Sequence, residues 1–185
     1  MPVSYQQAKK QLYEMIDNPN LIKHCLAVEA AMRFYADYFQ VDEAEKEKWA
    51  IAGLLHDADW EKYPDRHPKV IVKWLEEQGA DKMIVNAVAA HGFEFGVKPQ
   101  SLMAKVLRAV DELTGLIVAV ALVKGRKLSN VKVESVMKKM KDKAFARGVN
   151  REDIKRGAQE IEIELEEHVK NVLTALQRIA DELGL

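Results

Sequence analysis

The chain has a single cysteine, Cys25, in its 185 residues. No disulfide can form within it, and a reducing compartment is expected. It also lacks any sizeable net charge: 28 Lys plus Arg stand against 29 Asp plus Glu, a formal balance of -1. Nothing global draws such a chain to a polyanion, so a nucleic-acid partner would need a local patch. The longest apolar run, residues 116–123, is far shorter than the ~20 residues a helix needs to cross a bilayer. With no signal-like segment at the start, a cytoplasmic protein without a membrane partner is expected. The two-residue alternation of a half-buried strand is missing too, as are Asn-Gly and Asp-Gly hairpin turns, which argues against a sheet. There is no fixed-period repeat, low-complexity tract or composition shift to mark a second domain.

What is present is a helical pattern. With 48% hydrophobic and 31% charged residues the composition is that of a folded globular chain. At this length a single domain buries roughly 70% of the surface its unfolded chain exposes. Apolar residues recur at helical spacing from Tyr5 to Ile16, and then Asp17-Asn18-Pro19-Asn20 interrupts them and offers caps. A second helix runs from there to about Phe39, with Leu21, Cys25, Val28 and Met32 on one side. Asp42 can cap a third, whose apolar stretch runs directly into His56-Asp57. Residues 58–68 read as a loop. Shorter helices follow over 69–77 and from behind Asp81 to about His91, then a long one over 102–123 that Ser101 can cap and Gly125 ends. Asn130 can cap a helix over 131–145, and a last helix or bent pair reaches Leu183. The expectation is an all-α single domain over 1–185 with about eight helices: a metal-binding core at about 21–122, and C-terminal helices 131–183 packed on it.

Several polar residues stand where the pattern does not explain them. His56-Asp57 lies where an apolar helix meets a proline-bearing loop, a place where adjacent side chains can converge on one ion although a regular helix would point them about 100° apart. Imidazole plus carboxylate suits Mn, Fe, Co, Ni or Zn better than an all-oxygen Mg shell. Asp111 sits on the long, mostly apolar helix, where an unpaired carboxylate would be costly and a metal would partner it. His24 lies between Leu21 and Val28 on the second helix. Taken singly, each can be an ordinary cap or core polar group; the conjunction is what points to a metal. His168 is set aside as a surface partner of Glu164, four residues away on the same face.

The order His24, His56-Asp57, Asp111, with the contexts Gly53-Leu-Leu-His-Asp57 and Val110-Asp-Glu-Leu-Thr114, resembles the HD-domain metal-dependent phosphohydrolases over residues 21–122. The resemblance implies an HD-domain-like helical core, one or two divalent transition-metal ions, and hydrolysis of phosphomonoesters or phosphodiesters, commonly on nucleotides. Some members carry two further histidines between the central pair and the last Asp; His67 and His91 occupy that interval, with Asp57 as the natural bridge between two ions. Asp57 or Asp59 is a candidate to orient the attacking water, Asp59 equally to cap the loop. Lys62, Arg66 and Arg108 are candidates to meet a phosphate. Residues 141–150 look like a stretch that small bacterial members keep, in which Lys143 and Arg147 at four-residue spacing offer a phosphate-facing edge.

The expected partner is therefore a small phosphorylated substrate such as a nucleotide. The one basic patch, at 127–143, is interleaved with acids, which argues against nucleic acid. Two other readings keep the same ligands. One is a di-iron oxygenase on an HD-like fold. The other is a non-catalytic interaction module with a structural metal, whose C-terminal helices supply a homodimer interface through Ile161, Leu165, Val169, Val172, Leu173 and Leu176.

Overall fold

A computed structural model describes residues 3–185. Among them are ten α-helices, three short 3-10 turns and no strands. In order the helices are α1 (Tyr5–Met15), α2 (Pro19–Tyr38), α3 (Glu43–Leu55), α4 (Lys69–Glu77), α5 (Lys82–Ala89), α6 (Leu102–Val123), α7 (Val133–Met140), α8 (Arg151–Glu160), α9 (Leu165–Arg178) and α10 (Ala180–Leu183). Capping side chains fix several starts: Asn18 Oδ1 accepts from the Asn20 N–H, Asp81 Oδ1 from Met83, Ser101 Oγ from Ala104, and Asn150 Oδ1 from Glu152 and Asp153. No helix is long and apolar enough to cross a membrane among these residues.

The core is organised around α6, which buries Met103, Val106, Leu107, Val110, Leu113, Leu116, Ile117 and Val120. That is more than one face, as a central helix requires. It packs against α2, α5, α8 and α9. Two glycines allow close crossings. A Cβ on Gly53 of α3 would stand 2.9 Å from Glu29 Cα on α2, and one on Gly157 of α8 would stand 2.5 Å from Ala109 Cα on α6. Both crossings lie next to site residues, Gly53 three positions before His56 and Ala109 two before Asp111. Backbone contact this close leaves the helices little room to shift.

Several expectations change. The helix expected over 131–145 spans only Val133–Met140. Asn130 does not cap it but donates to Lys124 O at 2.9 Å. Beyond Met140, Asp142 Oδ1 accepts the Ala144 and Phe145 N–H groups, while the Arg151 guanidinium gathers the carbonyls of Asp142, Phe145, Ala146 and Val149. These bonds satisfy the backbone without a helical ladder, so a loop is stable there. Asp42 makes no side-chain capping bond. The C-terminal segment divides into three helices, broken near Glu162 at φ +57.

His168 is not at the surface. It is fully buried, its Nε2–H donating to Ala109 O at 2.9 Å and its Nδ1 accepting from the Tyr35 hydroxyl at 2.5 Å. Burial pulls its pKa down to about 4, the bond to Ala109 opposing only in part. The apolar positions expected to serve a dimer are largely used inside the chain: Ile161, Val169, Val172, Leu173 and Leu176 are buried in its own core.

Candidate metal centre

His24 comes from α2, His56 caps the C-terminus of α3, and Asp111 lies midway along α6. Because α2 crosses both α3 and α6, three residues remote in sequence meet. His24 Nε2 is 3.0 Å from Asp111 Oδ1 and 3.2 Å from His56 Nε2, and His56 Nε2 is 3.4 Å from Asp111 Oδ1. A second group stands beside the first. His67, just ahead of α4, and His91, just after α5, bring their Nε2 atoms to 3.2 Å. Asp57 Oδ1 lies 3.3 Å from the former and 3.4 Å from the latter. The other oxygen of Asp57, Oδ2, is 3.6 Å from both His24 Nε2 and His56 Nε2. One carboxylate therefore faces both groups, each of which can coordinate a divalent metal ion.

The hydrogen bonds behind the histidines test whether a cation fits. A carbonyl oxygen can only accept, so His56 Nδ1 must donate to Gly53 O (2.8 Å) and His91 Nδ1 to Val88 O (2.7 Å). His67 Nδ1 donates to Asp59 Oδ1 at 2.6 Å. With Nδ1 carrying the proton, each neutral imidazole presents a bare Nε2 lone pair to the centre. Two such lone pairs 3.2 Å apart, at His67 and His91, repel unless a cation stands between them. This outer arrangement, N–H to carbonyl or carboxylate, is the one metal-bound histidines commonly have. His/Asp donors of this kind fit a divalent transition metal.

A proton can stand in for that cation at His56: burial alone would pull its pKa down, but the carboxylates of Asp57 and Asp111 outweigh it and push it up to about 9, and a metal would replace that proton at Nε2. Burial would raise both carboxyls, yet the imidazoles, His56 foremost, hold Asp57 and Asp111 well below the usual carboxylate range. The pocket keeps two anions ionised and attracts a positive charge in return.

A family model described as HD domain matches residues 21–116, just over half of the chain. The chain belongs to the HD domain family. No curated protein and no solved structure matches it significantly. In this HD domain the matched span holds all six converging side chains, and α8 and α9 lie outside it.

The remaining sequence candidates separate. Asp59 is fully buried, and its oxygens are taken: Oδ1 by His67, Oδ2 by the N–H groups of Val70 and Ile71, both at 3.0 Å. It caps α4 and orients His67 rather than facing a water. Lys62 turns away, Nζ donating to Glu14 O at 2.9 Å with Asp17 at 3.6 Å. Arg66 is exposed and lies over the Tyr63 ring. Lys143 and Arg147 are exposed in the 141–150 loop and do not line the cleft. Arg108 does line it, though Nε and Nη2 donate to Ala90 O and Val97 O.

The cleft over the two groups, of about 130 Å³, also takes in Trp60, Phe93, Glu94, Phe95, Glu112 and Asp153. Sequence reasoning missed these. Glu112 had a signal in its position beside Asp111, but Glu94 and Asp153 reach the cleft only through the tertiary fold.

Proposed function

We propose that this HD domain is a metal-dependent phosphohydrolase, cleaving a phosphomonoester or phosphodiester of a small phosphorylated metabolite. The observation that carries the reading is Asp57, whose two oxygens face two separate His/Asp groups and which lines one cleft together with His67, His91 and Asp111. His24, His56 and Asp111 would hold one ion, His67 and His91 a second, with Asp57 between. A divalent metal in such a site supplies a water of lowered pKa and a Lewis acid for phosphoryl oxygens.

The chain's own groups do the positioning. Gly53 O, Val88 O and Asp59 fix three imidazoles so that Nε2 faces inward. The aromatic rings of Trp60 and Phe95 pack edge-on against His67, and Phe95 also against His91, which limits water on that side. No side chain other than the donors needs to serve as general base, and Asp59 has no free oxygen for it.

The test is phosphate release from nucleotides, dinucleotides and sugar phosphates across a panel of metals, with Asp57→Asn as control. Turnover that follows the metal and drops by about 1,000-fold or more in the variant, with the fold kept, is expected. A variant as active as the parent would remove Asp57 from the chemistry. Four imidazoles around two carboxylates also suit an iron pair; oxygen uptake with a mixed-valence di-iron signal and no phosphate release would favour an oxygenase.

A further inference from the structure

The cleft over the metal groups has an unexpected charge for a phosphate site. Beside Asp57 and Asp111, which face the histidines, its lining carries three more carboxylates, Glu94, Glu112 and Asp153, against one guanidinium, Arg108. That guanidinium is already committed: Nε donates to Ala90 O, Nη2 to Val97 O, Nη1 is 3.6 Å from Glu160, and the group lies 4.4 Å over the Phe93 ring.

The three carboxylates are not so committed. Glu112 Oε2 accepts one bond, from the Asn150 N–H at 2.9 Å. Glu94 folds back over Gly92, placing Oε2 2.9 Å from where a Cβ on that glycine would stand. The Asp153 and Glu94 side chains make no ion pair or hydrogen bond among the described residues. Burial and then the nearby Glu94 raise the Asp153 pKa, while Arg156 and Arg108 offset this only in part. The cluster lies in a cleft already marked as a ligand site by the converging Nε2 atoms. Carboxylates at a cleft with no free basic partner favour a cation and disfavour a second anion.

Size narrows the ligand further. About 130 Å³ is small beside the ~300–1,000 Å³ of ordinary ligand pockets, so the part of the substrate held inside the cleft is compact. The ring of Phe95, next to Glu94 in the chain and in the same lining, can offer its face to an ammonium group.

We infer that the cleft selects a phosphorylated substrate, compact where the cleft holds it, whose far end carries an amine or other cation, received by Glu94 and Asp153, while the phosphate lies towards the two His/Asp groups. This rests on the phosphohydrolase reading for the phosphate end only. Polyanionic nucleotides would be poor ligands, because their charge would meet Glu94 and Asp153.

Calorimetry on the metal-loaded protein tests it with three matched, non-hydrolysable probes: 3-aminopropylphosphonate, butylphosphonate and 3-phosphonopropionate. The cationic probe should bind at least about tenfold more tightly than the neutral one, and the anionic probe most weakly. In a Glu94→Gln/Asp153→Asn double variant the three affinities should fall within about threefold of one another. Equal affinities in the parent, a reversed order, an order unchanged in the variant, or no binding of any probe would overturn the inference. Phosphate release from 3-aminopropyl phosphate by the parent, measured in parallel, separates the two readings. Ranked binding without hydrolysis sinks the phosphohydrolase and leaves the cation site standing; hydrolysis without ranked binding does the reverse.

Discussion

The two His/Asp groups differ in how they are held. His24, His56 and Asp111 stand on three long helices, and their meeting depends on how α2, α3 and α6 cross. His67 and His91 stand at chain breaks beside short helices, and what fixes them is local hydrogen bonding to Asp59 and Val88 O. Packing of rigid elements positions the first group, whereas outer hydrogen bonds on loops position the second. Damage to one support should therefore fall on one group more than on the other.

The largest expected effect concerns the packing that holds α6. A histidine whose native pKa is depressed binds its proton more readily in the unfolded chain, so acid favours unfolding. His168, at about 4 when folded against 6.5 ordinarily, contributes stability that is whole above pH 6.5 and lost as the pH falls towards 4, by about 3 kcal/mol at most. Denaturant unfolding across that window should show the loss in the parent and a flatter profile in His168→Gln. Equal slopes would break the assignment.

Next comes the local support of the second group. Asp59→Ala removes the partner of His67 and two bonds that cap α4, so affinity for an ion at His67 and His91 should fall by roughly 10–100-fold. Metal analysis is expected to read a loss confined to one ion per chain. If both ions leave together, the two groups are not independently held and the comparison fails.

Gly53→Ala probes the converse. Its new Cβ would press on Glu29 Cα and Met32 Cγ, both at 2.9 Å, at a cost of about 1–3 kcal/mol in unfolding free energy. The shift should reach His56 through the adjoining helix end and weaken the first group more than the second. The smallest effect belongs to the 141–150 loop: with Lys143 and Arg147 exposed and away from the cleft, Lys143→Ala and Arg147→Ala should change turnover by less than about twofold. A large loss in either would place that loop over the site.

How far the sequence revealed this centre follows from the kind of signal each residue leaves. The apolar period of α6 was plain, and its bounds, 102–123, are those of the structure, because a central helix buries most of its circumference and writes that into the chain. Asp111 stood out against that period, and His24 against the apolar side of α2. Residues 141–150 misled because Asp142 and Arg151 satisfy backbone groups through side chains, an alternative that local propensity does not register. His168 misled for a related reason: Glu164 at four-residue spacing offered a surface partner, while the partners it has, Tyr35 and Ala109, come from helices far along the chain.

The sequence by itself determined the all-helical class, most helix limits and the family pattern of His24, His56-Asp57 and Asp111, since periodicity, caps and short motifs are properties of neighbouring residues. Only the tertiary structure decided that Asp57 faces two groups, that Asp59 is a support, and that Glu94, Glu112 and Asp153 share the cleft. Those facts depend on the directions of side chains brought together by helix crossings, and no local pattern encodes a direction in space.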